Sequence, residues 1–298
     1  MSPDPVSRRN LLAFAAATVA AAPLLNACGT QPSPPRPPVA KPTPARAPQP
    51  GPTIQREVVR SRHRGTDVEL ALTYPSGVRS LEGLPLVLYL HGRDGLQPNA
   101  MPADTMTALE AEHRAGTTPA FGLVSVDGGY NSYWFDGSAN GDVLSMLLEE
   151  LPSWLRERGY GAGDGQPFAV GGISSGGFGA LHYAIARSRL GSPVEGVGVL
   201  APALTTNWAH AEERGAFADQ QQWHRVDPLE HIDDLGGVPL GVWVGDVDPF
   251  FEGAEQLAHD HPNTRVFSVL PGGHEGKVFD AVGTDMVRYF ANLAPERI

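Results

Sequence analysis

The sequence predicts an α/β fold, a mostly parallel central sheet with helices on both faces. Short continuous apolar runs recur from residue 86 onward, several closing in Gly, Asp or Pro, which suits strands buried on both faces. Between several of them lie segments whose apolar residues recur at three- and four-residue intervals, the period of a helix with one buried face. The chain of 298 residues is 41% hydrophobic, enough to bury one core of domain size. Strands that alternate with helices build a parallel sheet with crossover connections.

Taken in order, residues 1–28 lie outside that fold. The pair Arg8-Arg9 directly precedes the alanine-rich run from Leu11 to Leu25, the basic and apolar regions of an export signal. The run is too short to span a bilayer comfortably. The paired arginines resemble a twin-arginine signal, and Leu25-Asn26-Ala27-Cys28 resembles a bacterial lipobox, whose cysteine becomes the lipidated first residue of the mature chain. Cys28 is the sole cysteine, so no intramolecular disulfide and no cysteine-based zinc knuckle can form. The expectation is export, with Cys28 as a lipid anchor in the membrane at the outer face of the cytoplasmic membrane or cell envelope. A signal cleaved elsewhere, or an uncleaved anchor, is the alternative. Residues 29–52 form a linker: Gln31 to Pro52 holds ten of the 28 prolines and almost no large apolar side chain, so it cannot pack and reads as an extended tether. A ligand for a partner domain is the other reading of such a tract.

The folded domain is expected over 53–298. Val68 to Tyr74 alternates as an early strand ended by Pro75, and Leu86 to Leu90 is a buried strand running into His91-Gly92. Phe121 to Val126, Phe168 to Ile173, Val197 to Leu200, Leu240 to Val244 and Val266 to Leu270 repeat the apolar form. Helical spacing marks Asp142 to Arg158, Gly176 to Arg189 and Val278 to Leu293. The stretch from Pro202 to Gly237, with Trp208, Phe217 and Trp223, is too polar for sheet core and is a candidate lid. In such a sheet the functional groups gather at the carboxyl ends of the strands.

At one of those ends stands Gly172-Ile173-Ser174-Ser175-Gly176, a G-x-S-x-G pattern between an apolar strand and a helix. With 35 glycines in the chain the pattern alone carries little weight, so the strand–turn–helix context decides. Glycines are needed there because neighbouring side chains would collide at a sharp bend that lifts the hydroxyl out of the sheet. A phosphate-holding turn is the competing reading, but no lysine follows and the dinucleotide spacing is absent. Ser175 fails the spacing because position 173 is Ile.

A serine hydroxyl is a weak nucleophile near neutral pH; it needs an imidazole to take its proton and a carboxylate to fix the imidazole tautomer. Gly245-Asp246-Val247-Asp248-Pro249 closes one later strand and offers two carboxylates. Pro271-Gly272-Gly273-His274-Glu275 closes the next and offers an isolated histidine, whereas His182 falls within a helix and His259 and His261 lie on a polar stretch. Crowding of His259, Asp260 and His261 on one short segment is poor geometry for a metal, so no metal and no cofactor is expected. His91-Gly92-Arg93-Asp94-Gly95 follows the buried strand. The backbone amides of Arg93 and Ser175 are the expected oxyanion donors, with Gly92 the alternative to Arg93. Tyr133, Trp134 and Phe135 either line an acyl or alcohol site or pack in the core.

From about Thr66 onward these residues resemble the putative esterase family of the α/β hydrolases, which includes S-formylglutathione hydrolases, enterochelin esterases and the secreted mycolyltransferases of actinobacteria. The resemblance is carried by Gly172 to Leu181, Gly245 to Pro249, Pro271 to His274 and the aromatic loop Asp127 to Trp134. It implies an α/β-hydrolase fold and the triad Ser174, Asp248 and His274; it favours Asp248 because the family places its acid three residues after the strand-closing Gly, leaving Asp246 to brace the loop. Ser175 stands where many members have Met. Asp248 stands where the mycolyltransferases have Glu, which points to the broader esterase group.

The expected function is therefore a serine carboxylic ester hydrolase with an acyl-serine intermediate, acting at the cell envelope on an ester of a lipid or an acylated sugar. An acyltransferase to a sugar or lipid alcohol, and a non-catalytic envelope-binding lipoprotein, are the alternatives. A formal charge of −11 argues against a nucleic-acid partner, which would need a basic face.

Overall fold

A computed structural model describes residues 51–95, 102–161 and 163–295. The signal-like segment 1–28 with Cys28, and the linker up to residue 50, lie outside the described residues. The strands are β1 (Thr53–Ser61), β2 (Thr66–Tyr74), β3 (Leu86–Leu90), β4 (Gly122–Val126), β5 (Ala169–Ile173), β6 (Gly196–Leu200), β7 (Leu240–Gly245) and β8 (Thr264–Leu270). They form one sheet in the order β1-β2-β4-β3-β5-β6-β7-β8. β1 and β2, and β2 and β4, pair antiparallel, and every later pairing is parallel.

The helices are α1 (Ala103–Ala115), α2 (Val143–Ser145), α3 (Leu151–Glu157), α4 (Ser175–Arg189), α5 (Trp208–Glu212), α6 (Gln220–Val226), α7 (Phe251–Asp260), α8 (Gly276–Ala281) and α9 (Gly283–Ala291). Because successive strand side chains point to opposite faces, β3 serves two cores. Leu86, Leu88 and Leu90 join Trp134, Leu147 and Phe178 on one side. Val87 and Tyr89 join Met106, Leu109, Met286 and Phe290 on the other. Helices thus cover both faces, and each fully buried leucine contributes about 1.5–3 kcal/mol.

The differences from the expected elements have physical causes. The helix expected over 142–158 carries a π-helical turn, Met146–Glu150, between α2 and α3; Pro152, at the start of α3, has no N–H to give to a regular ladder. The helix expected over 278–293 is two helices, α8 and α9. A Cβ at Gly283, the first residue of α9, would lie 2.6 Å from the backbone of Asp104 and Thr105, so the chain turns where it meets the start of α1. β1, α1 and α7 were not foreseen. β1 buries only Val59 and Ser61, and the inward face of α7 is made of Gly253, Ala254 and Leu257, a pattern too weak to read as periodic. Among the described residues no helix is long and apolar enough to cross a membrane.

Candidate active site

The bend between β5 and α4 is built by exclusion. A Cβ at Gly172 would lie 2.2 Å from the carbonyl oxygen of Gly176, and one at Gly176 would lie 2.1 Å from that of Leu90. Side chains at either position are forbidden, and the space lets Ser174 adopt φ 57°, ψ −123°. A non-glycine residue in that region costs about 1–3 kcal/mol and persists only where its surroundings hold it. Here the Ser174 amide donates to Leu200 O at 3.0 Å, and its carbonyl accepts from Gly177, Phe178 and Ala203 at 2.9, 3.2 and 2.9 Å.

Two loops from β7 and β8 meet this bend. His274 Nε2 lies 2.9 Å from Ser174 Oγ, and its Nδ1 lies 2.8 Å from Asp248 Oδ2. The Asp248 side chain is wholly buried, and its other oxygen accepts the Phe250 amide at 2.9 Å. A carboxylate accepts only, so Nδ1 carries the proton and Nε2 presents its lone pair to the serine hydroxyl. Phe250 and Phe279 stand edge-on to the imidazole from two sides, each with a centroid separation of 5.2 Å. Asp246 takes the neighbouring place: its Oδ1 accepts the Gly272 amide at 2.8 Å and ties the acid loop to the base loop.

The loop after β3 completes the surroundings. His91 is buried; its Nε2 accepts the Gly128 amide at 2.8 Å while Nδ1 donates to Gly92 O at 2.7 Å. That ring joins the Gly92 turn to the loop that follows β4. Arg93 and Ser175, together with Gly92, line the same cavity as Ser174 and His274. Ser175 opens α4, so its amide has no helical acceptor of its own. The arrangement brings a hydroxyl, an imidazole and a buried carboxylate into one chain of contacts, in a cavity that Arg93 and Ser175 also line.

The cavity measures about 600 Å³ and is walled further by Asn131, Tyr133, Ile173, Arg214, Phe250 and Phe279. Burial pushes the Tyr133 hydroxyl up to about 12, against the opposing pull of Arg214 and Arg93. Trp134 is placed apart from Tyr133: its ring is fully buried, beside His91 at 4.7 Å between centroids, with Nε1 donating to His91 O. It supports the loop from within the core. Phe135 is also fully buried and stacks on Phe217. Of the 202–237 segment, Arg214 reaches the cavity, whereas Phe217 packs on Tyr133 and Phe178 and Trp223 is buried. His261 donates to Val238 O at 2.7 Å, and His259 faces Asp260 on the exposed end of α7; among the described residues no metal-holding cluster is present.

The sequence reasoning missed Arg214, Asn131, Phe250 and Phe279. Phe250 and Phe279 lie two residues after Asp248 and five after His274, so proximity to those loops was an available signal. Arg214 had none: it sits in a polar stretch. The loop itself is strained, with Asn131, Tyr133 and Trp134 at φ 52°, 48° and 61°.

A family model described as "Putative esterase" matches residues 61–276. No curated protein matches the chain. Among solved structures, a ferulic acid esterase aligns at 15% identity and TM-score 0.66, covering 82% of this chain and 98% of its own. An S-formylglutathione hydrolase from Agrobacterium tumefaciens aligns at 17% and 0.58, covering 82% and 96%. MPT51 of Mycobacterium tuberculosis aligns at 19% and 0.55, covering 79% and 98%. At these identities the likeness establishes the α/β-hydrolase fold that the sequence predicted.

Proposed function

The chain belongs to the putative esterase family and is an enzyme with esterase activity, and on that premise we propose that it is a serine carboxylic ester hydrolase working through an acyl-Ser174 intermediate. The observation that carries this reading is the chain of contacts from Asp248 through His274 to Ser174, at 2.8 and 2.9 Å. His274 Nε2 takes the hydroxyl proton as Ser174 Oγ attacks the ester carbonyl. The Arg93 and Ser175 amides receive the oxyanion, which the start of α4 further stabilises. The imidazolium, held by Asp248, then protonates the departing alcohol. Water, deprotonated by the same nitrogen, attacks the acyl-serine and releases the acid.

In the same proposal residues 1–28 are an export signal ending in a lipidated Cys28, residues 29–52 are a tether, and 53–298 is the catalytic domain at the cell envelope. The supporting features are the arginine pair, the short apolar run, the sole cysteine and the proline-rich tract. Lipidation at Cys28 is checked by the mass of the N-terminal peptide from the membrane fraction.

The catalytic proposal is tested with a chain-length series of 4-nitrophenyl esters on the wild type and Ser174→Ala, with trapping of the acylated enzyme by acid quench and mass measurement. Acyl mass on the peptide containing Ser174, and loss of turnover in the variant, are expected; equal rates in the two proteins would defeat the mechanism. Adding a sugar alcohol to the reaction and analysing the products distinguishes transfer of the acyl group from its hydrolysis.

A further inference from the structure

We infer that the cavity around Ser174 selects esters that carry a carboxylate, through the guanidinium groups of Arg93 and Arg214. This inference rests on the esterase reading and adds a substrate class to it.

The two arginines come from distant segments, one after β3 and the other after α5, and a single residue pins both. The Asn131 amide donates to Arg93 O at 2.8 Å, and its side-chain Nδ2 donates to Arg214 O at 2.9 Å. Each guanidinium is seated on an aromatic ring: Arg93 lies 5.4 Å from the Tyr130 centroid, and Arg214 lies 5.5 Å from that of Phe250. Phe250 is also the ring that packs against the His274 imidazole, so Arg214 and His274 share one aromatic neighbour and one cavity. A cation–π contact with a ring holds a guanidinium without consuming its N–H donors.

Among the described residues the guanidinium donors are only partly used. Arg214 uses Nε on His210 O at 3.3 Å and Nη2 on Glu213 at 3.2 Å, which leaves Nη1. Glu213 is 65% exposed, so this surface pair holds the cation weakly. Among the described residues the Arg93 guanidinium makes its contact with the Tyr130 ring and no ion pair. Both arginines act electrostatically on the buried Tyr133 hydroxyl, so their fields overlap at that wall. The carboxylates that also line the cavity are Asp94, on the exposed loop beside Arg93, and Asp280, exposed on α8 next to Phe279. Two guanidinium groups and two carboxylates thus line the cavity, and the arginines are the pair whose fields meet at Tyr133. With a chain charge of −11, the long-range field disfavours anions, so any preference for an anionic ester has to arise from this local pair.

The test compares charged with neutral esters of similar length on the whole protein, in two pairs. One pair places the charge on the acyl side: the 4-nitrophenyl monoester of adipic acid against 4-nitrophenyl hexanoate. The other places it on the alcohol side: 4-acetoxybenzoate against 4-acetoxybenzamide, read by acetate release. The expected result is a kcat/KM ratio of charged to neutral ester of about 10 or more in at least one pair. That ratio falls by about 10-fold in Arg214→Gln, falls in Arg93→Gln, and is partly kept in Arg214→Lys. Since each ratio is taken within one protein, a general loss of folded enzyme cancels. Ratios near or below 1 in both pairs, or a ratio unchanged by Arg214→Gln, overturn the inference. Ser174-dependent hydrolysis of the neutral esters without charge preference removes this inference alone, whereas no Ser174-dependent hydrolysis of any of the four removes the esterase reading itself.

Discussion

The imidazole of His274 stands 2.9 Å from the hydroxyl of Ser174, although 100 residues separate them in the chain. The sheet order explains the meeting: β5, which runs into Ser174, is followed across the sheet by β6, β7 and β8 in parallel, so all their carboxyl ends open on one edge. A nucleophile, an acid and a base placed after three such strands need only short loops to converge.

Asp248 and Asp246 are separated by one residue, and the proposed mechanism gives them different roles. Asp248→Asn removes the carboxylate that holds Nδ1–H, and kcat is expected to fall on the order of 10³–10⁴-fold with KM little changed. Asp246→Asn keeps an acceptor for the Gly272 amide and is expected to cost less than about 10-fold in kcat. Steady-state kinetics on one good ester checks both; the reverse ranking would exchange the two assignments.

Gly176→Ala places a Cβ against the carbonyl oxygens of Leu90 and His91, both backbone atoms that cannot step aside. The expected outcome is a loss of stability of about 3 kcal/mol or more, or failure to fold, read by thermal melting. A variant with wild-type melting would mean that the bend is less tightly closed against β3.

Trp134 is a core residue, so Trp134→Ala leaves a large void and is expected to cost about 3–5 kcal/mol. Trp134→Phe fills most of that space but loses the Nε1 bond to His91 O. It is expected to lower stability by about 1–2 kcal/mol while leaving KM unaltered. A large rise in KM with unchanged melting would instead put the ring in contact with substrate.

Asp227 is buried between α6 and the following turn, and burial pushes its carboxyl up to about 7, while the Leu229 amide opposes the rise. A folded value above the unfolded one means that the folded state holds the proton more tightly. Stability is then complete below the unfolded value near 4 and declines as pH climbs to about 7. Asp227→Asn keeps an acceptor for the Leu229 amide and removes the charge. Denaturant titrations are expected to show the variant more stable than wild type at pH 8, on the order of 2–4 kcal/mol, with the gap closing towards pH 4. A constant gap across that range would contradict the assignment.

Much of this site was readable from residues because its chemistry demands particular ones. The bend needs glycine at 172 and 176, and chain order places a carboxylate loop and then a histidine loop after later strands. Strands such as Leu86–Leu90 were legible because burial on both faces leaves no polar position. What escaped was whatever depends on a distant partner. Trp134 and Tyr133 are adjacent aromatics, yet one lies in the core and the other on the cavity wall, and strained backbone rather than composition separates them. Arg214 lies in a polar segment, and it reaches the cavity through its own contact with the Phe250 ring and the packing of nearby Phe217 on Tyr133.

The central claim is tested most directly by mapping covalent labelling with a fluorophosphonate. Wild-type protein is expected to label once, on Ser174, with labelling abolished in Ser174→Ala and slowed by at least about 10³-fold in His274→Ala. Labelling of folded wild type at another residue, or an unchanged rate in His274→Ala, would contradict the account.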